Sequence, residues 1–146
     1  MADYDKYEIE AEKVRETNKI HLAEFADWLK NKGLVKKTID NHVSNVEFYI
    51  NHFLLYEDAD DVTKGCCYDR LDEFLGDWFI RKTAWASCAH IKGNAASFKK
   101  FNAFMLEKGI IKQDDYNEVC ETIKEEMPGW LENMQEVEKR EANFKW

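Results

Sequence analysis

The chain has 146 residues, of which 45% are apolar and 14% aromatic, with one proline and six glycines. This length suits one domain, and this much apolar material excludes intrinsic disorder. Because turn-forming residues are so few, the composition predicts long helices joined by short loops and argues against a sheet protein. The formal net charge of −8 makes the whole chain repel nucleic acid and anionic membranes at long range.

The acidic residues are concentrated at the two ends of the chain. Residues 1–27 carry four bases and eight acids, and residues 113–146 carry four bases and ten acids, whereas residues 28–112 carry 13 bases and 11 acids. No leader-like segment opens the sequence and no apolar run reaches the ~18 residues of a membrane span, so we expect a cytoplasmic chain without membrane contact. The four cysteines lack the Cys-x-x-Cys spacing of zinc sites, so we expect reduced thiols, no metal and no other cofactor.

Apolar residues at three- and four-residue steps predict an all-α bundle of five or six helices. The first helix is predicted over residues 3–32, and Gly33 is placed to form its left-handed C-terminal cap. The second is predicted from an N-cap at Thr38 to Tyr56, where an acidic loop begins. The third is predicted over residues 68–86.

Three further predicted segments complete the chain. A fourth helix covers residues 87–108, with Gly109 as its cap. A fifth runs from an N-cap at Asp114 to Met127, where the pair Pro128-Gly129 is expected to break it. The tail after this break leaves two interpretations open, a short last helix packed on the bundle or an amphipathic arm that docks on a partner. Its apolar residues at helical spacing are Trp130, Leu131, Met134 and Val137.

Three stretches of the sequence carry the pattern of a known family. Residues 25–34 have the form Phe-x-x-Trp-Leu-x-x-x-Gly-Leu and are followed by Thr38-Ile39 and a helix with a spaced aromatic residue. Residues 80–85 close the third predicted helix, and residues 87–109 end in Phe-x-x-Phe-Met-Leu-x-x-Gly. Together, residues 22–112 resemble the N-terminal core-binding domain of tyrosine recombinases, the phage-integrase family. The resemblance implies a four-helix bundle whose second and fourth helices clamp duplex DNA.

The catalytic machinery of that family has no counterpart in this sequence. The family's catalytic domain supplies two arginines, a His-x-x-Arg motif and a tyrosine nucleophile. None of the four histidines has an arginine three residues later, since His21 is followed there by Glu24, His42 by Asn45, His52 by Leu55 and His90 by Gly93. We therefore expect no catalytic residue, no small-molecule substrate and no enzyme activity.

Two binding functions remain open at this point. The first is a protein-interaction or accessory module that binds a protein partner or a second copy of itself through the acidic first helix and the aromatic tail. Large aromatic side chains dominate the energetics of such interfaces. The candidate anchors in the tail are Trp130, Met134 and Trp146.

The alternative is a duplex-DNA-binding protein of a mobile-element or recombination system. Residues 81–112 contain seven bases and one acid, and lysines that neutralise phosphates supply much of the affinity for DNA. Asn94 and Ser97 are polar residues on the same predicted helix and could contact the backbone or base edges. The candidate nucleic-acid-binding residues are Lys36, Lys37, Lys92, Asn94, Lys99 and Lys100.

Overall fold

A computed structural model describes residues 2–144 of the chain and the side chains of residues 4–142. Within this range the chain is an all-α bundle of six helices without a strand, as predicted. α4, a π-helical segment and α5 form one continuous helix. None of the described helices has the length and apolar content needed to span a lipid bilayer. The elements are α1 (Ala2–Asn31), α2 (Lys36–Phe48) with its π-helical continuation Tyr49–Phe53, α3 (Val62–Gly65), α4 (Tyr68–Glu73), the π-helical segment Phe74–Trp78, α5 (Phe79–Lys82), α6 (Cys88–Glu107) and α7 (Gln113–Phe144).

Two glycines end helices where the sequence predicts caps. Gly33 after α1 has a φ of 91°, and Gly109 after α6 has a φ of 76°, in the left-handed region that side chains with a Cβ avoid. After the first of these caps, the Leu34 N–H donates to the Leu29 carbonyl at 3.3 Å, which satisfies a carbonyl of the last turn. The C-terminal ends of α1 and α6 are therefore confirmed.

The two π-helical segments meet in the centre of the core. The ring of Phe74 lies 5.0 Å from the rings of Tyr49 and Phe53 and 5.7 Å from that of Phe98 in α6. All four residues are buried, and aromatic pairs at these separations stabilise a core beyond the area that they bury. This cluster holds the α2 helix and α6 against the α4–α5 helix.

The predicted start of the second helix is wrong by three residues. α2 begins at Lys36, and Val35 precedes it with an extended backbone and no side-chain cap. Thr38 is therefore inside the first turn and is not an N-cap. The third predicted helix also ends early, because Thr83 leaves the helix with extended backbone angles.

The predicted break at Pro128 is wrong. α7 continues through Pro128 as one helix, so the tail and the fifth predicted helix are two halves of the same helix. Asp114 lies in the first turn of α7 and is not its N-cap. A proline inside a helix costs about 3 kcal/mol because it removes one hydrogen bond and clashes with the preceding turn. Trp130 and Met134, just after the proline, are each only 2% exposed. Burial of each contributes about 1.5–3 kcal/mol, which offsets the cost of the proline.

Trp130 packs closely against Gly76 in the second π-helical segment. A Cβ at position 76 would lie 2.9 Å from Trp130 Cδ1. The indole Nε1 of Trp130 donates to Asp72 Oδ1 at 2.7 Å, and Asn133 Nδ2 donates to the Gly76 carbonyl at 3.0 Å. The tail is therefore packed on the bundle, and the prediction that Trp130 and Met134 anchor a partner is wrong because both are in the core. The third candidate anchor, Trp146, lies outside the described residues.

Candidate functional site

An open groove runs between α2 and α6. The two helices are antiparallel, because His42 in α2 contacts Ser97 in the middle of α6, while His52, beyond α2, lines the same part of the groove as His90 near the start of α6. The wider part of the groove has a volume of about 460 Å³, and an adjoining part toward the start of α6 has about 280 Å³. The wider part is lined by Thr38, Asn41, Ser44 and Asn45 from α2 and by Gly93 and Asn94 among the residues of α6.

The groove exists because α6 carries small residues toward α2. Ala89, Gly93 and Ala96 follow each other at four- and three-residue steps, which places them on one helix face, and all three line the groove. A Cβ at Gly93 would meet nothing within 4 Å. The two helices consequently leave a hollow in place of a closed apolar contact.

Ser97 is the centre of a polar network at the base of the groove. Its Oγ donates to the Gly93 carbonyl at 3.0 Å, accepts from Asn45 Nδ2 at 2.9 Å and lies 2.7 Å from His42 Nδ1. Since the single hydroxyl proton goes to the carbonyl, the proton in the His42 bond belongs to Nδ1. Ser97 itself is fully buried, so the prediction that it contacts nucleic acid is wrong.

Two partly buried histidines are expected to make the stability of the chain depend on pH. Burial, and then the charge of Lys100, lower the pKa of His42, while burial and Lys108 lower the pKa of His21. As the pH falls below about 6.5, the unfolded chain therefore binds more protons than the folded chain. We expect the free energy of unfolding to be highest above this pH and to decrease toward pH 5, before the carboxylates titrate.

This expectation is tested by urea denaturation at about pH 7.5 and about pH 5.5. The wild-type midpoint should be lower at the acidic pH, and the difference should shrink in the double variant His21→Gln/His42→Gln. Equal wild-type midpoints at the two pH values would contradict the lowered pKa values of these two histidines.

Two lysines flank one end of the groove, and its wider part has no carboxylate among its described lining residues. Lys37 precedes the lining residue Asn41 by one helical turn, and Lys100 extends the groove face of α6 by one turn, so both lie at the same end of the antiparallel pair. Lys92 and Lys99 are exposed and seven residues apart, on the neighbouring face of α6. Lys37 and Lys100 therefore flank one end of the groove, whereas Lys92 and Lys99 lie on a face of α6 that does not line it.

Most of the five predicted nucleic-acid-binding lysines have no acidic partner among the described residues. Lys36 is the exception, because its Nζ lies 2.7 Å from Asp40 Oδ2 on the same helix, although so exposed a pair contributes little to stability. Within residues 4–142, no carboxylate lies within 4.0 Å of the other four ammonium groups. These four are Lys37, Lys92, Lys99 and Lys100. Their charge is available to an anionic ligand.

The opposite end of the groove is aromatic. Trp85 is 54% exposed, and its ring contacts that of Phe48 edge-to-face at 5.5 Å. The Phe48 ring in turn stacks on His52 at 5.1 Å. His90 and Glu47 also line this part, and Glu47 is the only carboxylate among its described lining residues. The groove thus has lysines near one end and an exposed aromatic surface at the other end.

Sequence reasoning identified the lysines but missed the groove. Asn94 does line the groove, but it is only 4% exposed and its Nδ2 donates to the His90 carbonyl at 2.7 Å, so it offers less to a ligand than predicted. The sequence did contain a signal for the groove. Polar residues recur at four-residue spacing in the second predicted helix, and small residues recur on one face of the fourth predicted helix. The lining residues that were not predicted include Thr38, Asn41, Asn45 and Trp85.

Comparison with known proteins assigns no role to this groove. Within the described residues, no group of three or more His, Cys, Asp or Glu side chains could hold a metal ion. Residues 22–112 still resemble the core-binding domain of tyrosine recombinases only on the sequence pattern quoted above, and membership of that family stays a prediction. Searches against protein-family models, curated proteins and solved structures give no significant match to this chain.

Proposed function

We propose that the chain is a non-catalytic nucleic-acid-binding domain. Its binding surface is the groove between α2 and α6 together with the lysines that flank one end of this groove. The observation that supports this most is the local charge. The chain has a net charge of −8, yet the wider part of the groove has no carboxylate among its described lining residues. Lys37 and Lys100 flank one end of it, and neither has a carboxylate within 4.0 Å among the described residues. Neutralisation of phosphates by lysine and the release of their counterions supply much of the affinity for nucleic acid.

The net negative charge does not prevent this binding at ordinary ionic strength. At about 0.1 M salt, exposed charges more than about 10 Å apart are largely screened from each other. The lysines next to the groove therefore act more strongly on a bound phosphate than the acids at the two ends of the sequence. The resemblance to recombinase core-binding domains supports the same surface, since it assigns DNA contact to the second and fourth predicted helices, which are α2 and α6.

The proposal is tested by fluorescence anisotropy with labelled single-stranded and duplex oligonucleotides. At least one of the two should bind at about 50 mM salt. With three or four phosphate contacts, affinity should fall by about 30- to 100-fold when the salt is raised to about 200 mM. Failure of both oligonucleotides to bind at the lower salt concentration would refute the proposal.

A protein-interaction module is a second candidate, and one observation on α1 favours it. Ile9 and Ile20 are 59% and 62% exposed, and their spacing of eleven residues places them on the same side of the helix. A partner that covers this face would bury both residues, and a face that pairs with itself forms a two-fold dimer. Sedimentation should then show a dimer that Ile9→Glu/Ile20→Glu dissociates. A wild-type chain that stays monomeric would exclude this dimer.

A further inference from the structure

We infer that the groove takes a single-stranded segment of nucleic acid, with an unpaired base stacked on Trp85 and the backbone running toward Lys37 and Lys100. The inference rests on the proposed function and narrows it from nucleic acid in general to unpaired nucleotides. Three properties of the groove carry it, namely its concave shape, its exposed aromatic end, and the amides and lysines beyond that end.

The shape of the groove fits unpaired nucleotides better than a duplex. Proteins read duplex DNA with helices or strands that protrude into its grooves. Here α2 and α6 enclose a hollow of about 460 Å³ with an extension of about 280 Å³, which is in the size range of pockets that bury small ligands. The bases of a duplex are stacked inside it and cannot enter such a hollow, whereas an unpaired base can.

The aromatic end supplies a surface on which a base can stack. The edge-to-face contact with Phe48 holds the Trp85 ring in place, yet more than half of the residue is exposed. Proteins that bind single strands stack bases on exposed aromatic rings without strong sequence preference. His52 is exposed and stacked on Phe48, which provides a second ring for a neighbouring base.

The charges at the two ends agree with this orientation of the strand. Glu47 lines the aromatic part, and its carboxylate repels a phosphate there but tolerates a neutral base. The unpaired Lys37 and Lys100 lie at the other end and attract phosphates. Lys37 and Phe48 are eleven positions apart in α2, which is about 16 Å at the rise of an α-helix, a distance that a few nucleotides cover.

Amide groups lie between the two ends. Asn41 is exposed on the groove side of α2, and Asn45 uses its Nδ2 to donate to Ser97, which leaves its Oδ1 as an acceptor. Such amides bind backbone oxygens or the edges of unpaired bases. The groove therefore presents a ring on which a base can stack, amides that can bind base edges or backbone oxygens, and lysines at its far end that can contact phosphates.

The test compares affinities for oligo-dT, oligo-U and a duplex, each of roughly 12 nucleotides, by anisotropy. Single strands should bind more tightly than the duplex, and binding of either the DNA or the RNA strand supports the inference. Trp85→Ala should weaken single-strand binding by about 5- to 100-fold, and Trp85→Phe, which keeps a ring, should retain most of the affinity. The control Tyr68→Ala removes an aromatic residue that is also exposed but lies outside the groove, and it should leave the affinity unchanged.

The outcomes separate this inference from the proposed function. Duplex binding that equals or exceeds single-strand binding, or unchanged single-strand affinity in a folded Trp85→Ala variant, overturns the inference and leaves the proposed function intact. Absence of binding to every oligonucleotide overturns both. Circular dichroism of each variant establishes that a loss of affinity does not come from unfolding.

Discussion

Trp130→Ala is expected to lower the free energy of unfolding by about 3–5 kcal/mol, the range typical of a large aromatic side chain removed from a core. Trp130 is 2% exposed and fits against Gly76 so closely that a Cβ there would lie 2.9 Å from the indole. The lost hydrogen bond to Asp72 adds little, because that carboxylate is exposed and water replaces the indole. Most of the cost therefore comes from the cavity, and urea denaturation measures it.

The matched control is Trp85→Ala, which removes the same side chain from an exposed position. Surface substitutions usually change stability by no more than about 0.5 kcal/mol, and the contact of Trp85 with Phe48 raises the expected cost only to about 1 kcal/mol. If Trp130→Ala were as mild as Trp85→Ala, the second half of α7 would not be packed on the bundle. The broken helix predicted at Pro128 would then be the better description.

Lys37→Glu/Lys100→Glu is expected to weaken nucleic-acid binding by at least about 30-fold at about 50 mM salt. The double variant removes two phosphate contacts, which lowers the salt slope for a single strand by about 1.4, and the two new carboxylates add repulsion. Neither lysine has a carboxylate within 4.0 Å among the described residues, so the substitutions break no ion pair of the fold. Anisotropy titrations at several salt concentrations give both the affinity and the slope.

The control for this prediction is Lys124→Glu/Lys139→Glu, which changes the net charge of the chain by the same amount. Both lysines are exposed on α7, which does not line the groove. We expect a loss of no more than about threefold from the change in the overall field. Equal losses in the two double variants would mean that net charge, and not the groove, governs binding.

Local sequence rules predicted most helices, but they failed where a contact between residues far apart in the sequence determines the local structure. Gly33 and Gly109 end helices because their left-handed backbone is a property of the residue itself. Pro128 has an equally clear local cost, but Trp130 gains more from its contact with Gly76, which is 54 residues earlier in the chain. The helical spacing of the apolar residues predicted that Trp130 lies on an apolar helix face. It could not predict which part of the protein packs against that face.

The candidate site was predictable in its charges and not in its shape. The cluster of lysines without acids around Lys99 and Lys100 is visible in the sequence. The groove depends on which helix pairs with which, since Asn41 and Asn45 line a hollow only because Gly93 lies opposite them. The burial of Asn94 and Ser97 has the same origin, because helix pairing determines which polar residues face inward.

Chemical-shift mapping with a single-stranded oligonucleotide tests the groove most directly. On titration of the labelled chain, the largest shifts should occur at the side-chain amides of Asn41 and Asn45, the indole of Trp85 and the backbone of residues 89–97. Changes confined to α1 or α7, or no changes at saturating oligonucleotide, would contradict binding between α2 and α6.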